Sequence, residues 1–223
     1  MENSSFALLR PDLIALGFGF YGSSATLAPD PEKTILSIIR LFDEEVKVFH
    51  MLLAWVERFG DLLHVERFSA LSSGLSGREL IILGVLAQKR VSAGDYRFRS
   101  LAQKIMKLAP SSEKPWPGQG QYLIEKNGVD PEFKLFGVTT SRFLPSETKK
   151  LLERSWILKK NLWFRLRALL GANFRADIAY LRLSGLAKNA YVAMKLLKCA
   201  KETSYRLWGQ LDEADVEGMI SVS

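Results

Sequence analysis

From Asp30 to Leu108, apolar residues recur at three- and four-residue intervals, the spacing of one face of an α-helix. Ile35, Ile38, Ile39 and Phe42 make one such face. Val46, Phe49, Leu52, Leu53, Val56 and Phe59 make a second, and Asp43-Glu44-Glu45 separates the two, so the pattern predicts two helices. Asp30 is placed to cap the first, Pro31 suits its opening position, and Glu32 complements the helix dipole. Gly60 predicts a stop, after which Asp61 caps a shorter helix from Leu62 to Leu71. Ser76 with Glu79 forms a capping box that opens a run from Leu80 to Arg90. Asp95-Tyr96-Arg97 opens one more helix, ending near Leu108. Residues 31–108 therefore read as a helical domain. Residues 1–30 show poor periodicity, end in the turn Ala28-Pro29-Asp30-Pro31, and read as an N-terminal arm that packs on a neighbouring domain or a second subunit.

Residues 109–145 change character. Pro110, Pro115, Pro117, Gly118, Gly120, Gly128, Pro131 and Pro145 punctuate them, yet Phe133, Leu135, Phe136, Val138, Phe143 and Leu144 make them too apolar for a free tether. A packed connection, with room for a short strand, is expected. Ser146 then caps a long helix whose apolar positions run from Leu151 to Leu170 and whose polar positions are mostly Lys and Arg. Trp156 and Trp163 interleave with these cations, a pattern that suits a bulky core or dimer face and can also stack on bases. Asn173 caps a helix from Phe174 to Leu183. Asn189 caps another from Ala190 to Leu197. A break at Lys198-Cys199-Ala200 leads into a third that starts near Lys201. Two helices joined by a three-residue turn are the core of a helix-turn-helix.

The segment LKCAKETSYRLWGQL resembles the second half of bacterial winged helix-turn-helix transcriptional regulators, through Leu197, Lys198, Cys199, Ala200, Lys201, Thr203, Tyr205, Arg206 and Leu207. The resemblance covers about the last fifty residues. It implies a DNA-binding unit whose third helix enters the major groove. Three positions depart from the family pattern: Lys198 stands where Gly is usual, Ser204 where a buried Val or Ile sits, and Met194 where a small Ala allows close helix approach. Leu197, Cys199, Leu207 and Leu211 are expected in the core. Ala200, Lys201, Glu202, Tyr205 and Arg206 are expected to face outward. The DNA-binding set is Lys188, Lys198, Lys201, Glu202, Thr203, Tyr205 and Arg206, in which Lys and Arg suit phosphates and guanine edges, and Thr203 and Tyr205 add phosphate hydrogen bonds. Only Met219 to Val222 remain to supply a wing strand, and Asp212, Glu213, Asp215 and Glu217 place acid beside the third helix.

Charge reinforces this reading. The chain carries a formal net charge of +7. Between Ser141 and Gln210 fifteen basic residues face four acidic ones, a surplus of eleven, so the remainder is mildly acidic at about −4. A basic half of this kind suits an anionic partner. Hydrophobic residues make up 48% and charged residues 25%, which suits a folded chain with a sizeable core. The single cysteine, Cys199, excludes an intrachain disulfide and fits a reducing, cytoplasmic location. No signal peptide and no membrane span are expected.

Catalytic motifs are sparse. Gly17-Phe18-Gly19-Phe20-Tyr21-Gly22 matches G-x-G-x-x-G, and Leu13 to Leu16 could be the strand before it. Ser23 to Pro29 does not read as the helix a dinucleotide fingerprint needs. His50 and His64 are the only histidines. His64-x-Glu66 lacks the paired cysteines of a deaminase zinc motif. Cys199, beside Lys198 and Lys201, reads as a buried structural thiol before an activated one. The chain is thus expected to be mainly α: an N-terminal helical bundle, then a basic connecting helix and winged-helix-like three-helix unit over 146–223, with a minimal or missing wing. The expected function is that of a non-enzymatic, cofactor-free regulator that binds double-stranded DNA, with a homodimer or protein partner engaged through residues 31–108. The alternative is a helical protein-interaction or antitoxin-like module with a degenerate helix-turn-helix.

Overall fold

The computed structural model describes residues 5–75, 77–108, 116, 119–142 and 150–214. Among these residues the chain is mainly helical and contains no strand. Two isolated antiparallel bridges, Phe18–Leu151 and Val129–Ser141, are its extended contacts. No helix among the described residues is long and apolar enough to cross a membrane.

Helix α1 (Ser5–Ala15) replaces the aperiodic segment expected at the N-terminus. Its last turn enters the core, with Leu13 fully buried, while Leu8 stays 80% exposed. An amphipathic stripe is therefore missing, which is why periodicity did not reveal the helix. The glycine segment after it is a packing joint preceded by a helix, and so lacks the strand of a dinucleotide fold. Gly17 adopts a φ of +94°, and the Gly19 N–H donates to the Lys150 carbonyl at 2.7 Å. A Cβ on Gly19 would sit 2.6 Å from that same carbonyl oxygen.

Helices α2 (Pro31–Arg40) and α3 (Val46–Phe59) form as the spacing predicts, and the Asp30 carboxylate accepts the Lys33 N–H at 3.2 Å. The next helix, α4, is shorter than expected, Val65–Leu71, because Gly60–Leu62 winds as a 3₁₀ turn. Asp61 does not cap it; its carboxylate takes both guanidinium nitrogens of Arg154, at 2.6 and 2.9 Å. Helices α5 (Gly77–Ser92) and α6 (Arg99–Leu108) pack against each other, and Ser76, the expected cap of α5, lies outside the described residues. The connection carries two short helices, α7 (Gln121–Asn127) and α8 (Pro131–Leu135), and buries Phe133, Phe136 and Val138 in the main core. Most of its proline-rich stretch, together with Ser146, falls outside the described residues.

The long basic helix is in fact two, α9 (Arg154–Lys160) and α10 (Leu162–Leu170). Asn161 divides them in an extended conformation. Its Oδ1 caps Phe164 N at 3.1 Å and its Nδ2 donates to the Ala15 carbonyl at 3.1 Å. A polar residue inside an apolar run thus marks a cap and a tie to α1. Three further helices follow: α11 (Phe174–Leu183), α12 (Ala190–Leu197) and α13 (Lys201–Glu213).

Two apolar clusters result. The larger gathers α1 to α6 with α8, α9 and Phe164 of α10; Trp55 lies at its centre and donates Nε1–H to the Leu16 carbonyl at 2.7 Å. The smaller joins Trp163 and Leu166 of α10 to α11, α12 and α13. Helix α10 is the shared wall.

Between the clusters lies a buried ionic network. Arg167 on α10 donates Nη1–H and Nη2–H to the two Glu32 oxygens at 2.7 and 2.9 Å, and Nε–H to Asp177 Oδ1 at 2.7 Å. Arg67 on α4 donates to Glu32 at 2.9 Å and also binds Asp30. His64 Nδ1 lies 2.7 Å from Asp177 Oδ2, and Trp163 Nε1 donates to Asp177 Oδ1. Burial alone would raise the Asp177 pKa. The Arg167 charge, the His64 hydrogen bond and the Arg67 charge instead hold it far below the usual carboxylate range. Burial likewise works against the Arg167 cation, but Asp177 and Glu32 raise its pKa well above the ordinary value.

Two outcomes follow from this architecture. Gly19→Ala forces a methyl group against backbone, and is expected to cost about 1–3 kcal/mol in a denaturant titration. Asp177→Asn leaves buried cations undercompensated, which costs about 3–5 kcal/mol, or roughly 6–20 °C in Tm at pH 7. Because the native carboxyl is held low, its stabilisation is complete above the unfolded value near 4 and fades below it. The gap in Tm between Asp177→Asn and the parent chain should therefore narrow as the pH falls below about 4.

Candidate nucleic-acid interface

Helices α11, α12 and α13 close into a three-helix unit around Ala176, Ile178, Ala179, Ala193, Leu197, Leu207 and Leu211. Local chemistry sets each start. The Asn173 side chain accepts the Arg175 and Ala176 N–H groups at 2.9 and 3.3 Å, and Asn189 accepts Val192 N–H at 3.0 Å. Lys198 makes the turn between α12 and α13 with φ 53° and ψ 39°, the only positive φ on a non-glycine among the described residues.

Ser204 and Met194, the other two departures from the expected helix-turn-helix pattern, are absorbed by packing. Ser204 is fully buried, and its hydroxyl donates to the Ala190 carbonyl at 2.7 Å, so a polar side chain fits the α12–α13 seam without an unpaired group. The close approach on α12 is made by Ala193, fully buried, while the neighbouring Met194 is half-buried. Cys199 is half-buried against the smaller cluster, and burial pushes its thiol pKa up. That is the opposite of an activated thiolate.

The sequence-derived contact residues are mostly on the surface. Lys188, Lys198, Lys201, Glu202, Tyr205 and Arg206 are exposed, as is Ala200, and Thr203 is half-buried. Helix α13 turns Ser204, Leu207 and Leu211 inward, which leaves Lys201, Glu202, Tyr205 and Arg206 outward over its first two turns. Lys201 Nζ lies 5.8 Å from the Tyr205 ring. Lys198 stands at the turn beside this set. Lys188 does not join them: it precedes α12, whose eight residues set it roughly 12 Å along the axis from Lys198.

The basic surplus is smaller at the surface than along the chain. Arg167 is internal, Arg154 is held by Asp61, and Arg165 donates to the Leu158 and Lys159 carbonyls. Arg182 pairs with Asp212 and lies 5.3 Å from the Trp208 ring, so one acid at the end of α13 is already neutralised. Glu213 remains exposed, while Asp215, Glu217 and the expected wing strand Met219 to Val222 lie outside the described residues.

The sequence offered no sign of a recess between α13 and the N-terminal bundle. One lobe, about 470 Å³, is lined by Glu66, Arg175, Thr203 and Arg206; a second, about 420 Å³, by Ser69, Ser100 and Lys104. His64, Glu66 and Asn173 line both. No family model, curated protein or solved structure matches the chain.

Lysine in a left-handed turn is strained where glycine is not. Lys198→Gly is expected to raise stability by up to about 1 kcal/mol in thermal unfolding, the relief of that strain being partly offset by the greater freedom of glycine in the unfolded chain.

Proposed function

We propose that the protein is a DNA-binding transcriptional regulator of winged helix-turn-helix type, in which α13 enters the major groove. One observation carries the proposal: α13 packs its inner face into the three-helix core and turns Lys201, Tyr205 and Arg206 to solvent at a turn that also exposes Lys198. In this reading Lys198 and Lys201 neutralise phosphates, Tyr205 and Thr203 add hydrogen bonds to the backbone, and Arg206 reaches a guanine edge or a phosphate. The N-terminal bundle supplies a dimer contact or a partner-sensing surface. Because the ionic network ties α11 to α2 and α4, movement of the bundle carries α13 with it, so a dimer would set the half-site spacing.

A second reading is supported by the placement of acid. Glu202 lies within the outward face of α13, Glu213 is exposed at its end, and Glu66 shares a recess with Arg206. These groups oppose phosphate and suit a helical protein-interaction module.

Binding to mixed duplex fragments across a salt series separates the two. Regulator behaviour requires affinity that falls steeply with salt, and Lys201→Ala/Arg206→Ala should weaken it while leaving Tm unchanged. Arg206→Ala alone should cost about 1–3 kcal/mol if the residue reads a base, and should flatten the salt slope by about one unit if it meets a phosphate. No binding at low salt removes the DNA reading in favour of the interaction module.

A further inference from the structure

His64 is the least expected residue at the recess between α4, α6, α11 and α13. It is 2% exposed, yet its ring lines both lobes. Asp177 engages Nδ1 at 2.7 Å, and Phe174 meets the ring edge-on at 4.3 Å between centroids, so the imidazole is fixed in orientation. Its Nε2 lies 4.0 Å from the Glu66 carboxylate, beyond hydrogen-bond reach. Lys104 of α6 lines one lobe, and Arg175 of α11 and Arg206 of α13 line the other; all three are exposed and form no ion pair among the described residues, while Arg175 Nη2 donates to Gln210 Oε1 at 3.3 Å. Arg97 also lines one lobe, but Asp95 holds it. Ser100 and Asn173 add neutral polar groups. Glu66 is the acid in the lining of both lobes, and its side chain is 77% exposed.

We propose that this recess binds a small phosphomonoester, with the phosphate seated against His64 Nε2 beside Arg175 and Arg206, and Lys104 lining the adjoining lobe. The chemistry is matched at each point. An imidazole whose Nδ1–H is held by a carboxylate offers Nε2 as acceptor to the P–OH of a monohydrogen phosphate, and as donor when protonated. Arg175 and Arg206 supply the opposing charge with no carboxylate paired to either among the described residues, and Lys104 adds a third cation in the adjoining lobe. The two lobes, about 420 and 470 Å³, are large enough for a nucleotide-sized molecule. A duplex does not fit the same seat, since His64 is 2% exposed. This site stands independently of DNA binding, although Arg206 is shared by the two.

The chain has two histidines, so the imidazole nitrogens report on the site directly by NMR. The full-length protein is titrated at constant ionic strength with inorganic phosphate, with a nucleoside monophosphate, with chloride, and with a short duplex. Saturable displacement of the His64 resonances by phosphate or the monophosphate is expected, with half-saturation at about 1 mM or below and His50 unmoved. Lys104→Ala/Arg175→Ala alters exposed side chains, keeps the fold, and is expected to weaken the binding about tenfold or more. His64→Gln tests the seat itself, with calorimetry as readout and Tm as the check on folding. Three results each overturn the proposal: no saturable shift with either phosphate compound, an equal response to chloride, or a response to the duplex alone. Undiminished affinity in the folded Lys104→Ala/Arg175→Ala variant does so too. Phosphate binding in a parent chain that binds no duplex supports this site and removes the DNA reading alone.

Discussion

The Arg167 guanidinium is the contact on which the rest of the architecture depends. It is fully buried and carries Glu32 on one edge and Asp177 on the other, so one planar cation joins α2, α10 and α11. Arg67 and His64 extend the set to α4. Charges removed from water this completely are stable only while each remains paired, since the desolvation of any single member is uncompensated once its partner goes. The network is therefore weak as a source of net stability and strong as a constraint on geometry: few other arrangements of these helices satisfy all its members at once.

That constraint has a functional consequence. The three-helix unit has its own apolar cluster, and its helices pack by ordinary small-residue contacts at Ala176, Ala179 and Ala193. By itself it would be free to reorient on the bundle. With Asp177 pinned by Arg167, His64 and Trp163, α11 is fixed in angle, and α13 with it. The outward face of α13 is then presented in one orientation. Its flank with Thr203 and Arg206 overlooks α4, where the recess forms. The same pairing aims His64 Nε2 into that recess, so a structural ion network and a polar opening share one imidazole.

Much of the helical arrangement was legible because its signals are local. Asn173 and Asn189 cap helices in which side chain and N–H are two or three residues apart, and the apolar stripe of α2 and α3 is interrupted by three consecutive acids. The boundaries of α11 and α12 follow from such short-range chemistry. The division between α9 and α10 was not legible: Asn161 sits inside a stretch that reads as one helix, and its capping of α10 depends on an extended backbone anchored to α1. Helix α1 was missed because only its last turn is buried.

The sequence by itself determined the helical class, the caps and turn of the C-terminal unit, and the inward and outward positions of α13. Each rests on the 3.6-residue period or on contacts within a few residues. Tertiary structure decided which charges are surface and which are internal. Arg167 and Arg175 are eight positions apart in the same basic stretch; one is sealed between two carboxylates and the other is exposed at the recess. Nothing local distinguishes them, because Glu32 lies 135 positions from Arg167 and His64 lies 113 from Asp177. Pairings over such distances are selected by the cost of leaving a buried charge alone, and that cost exists only after the chain has folded.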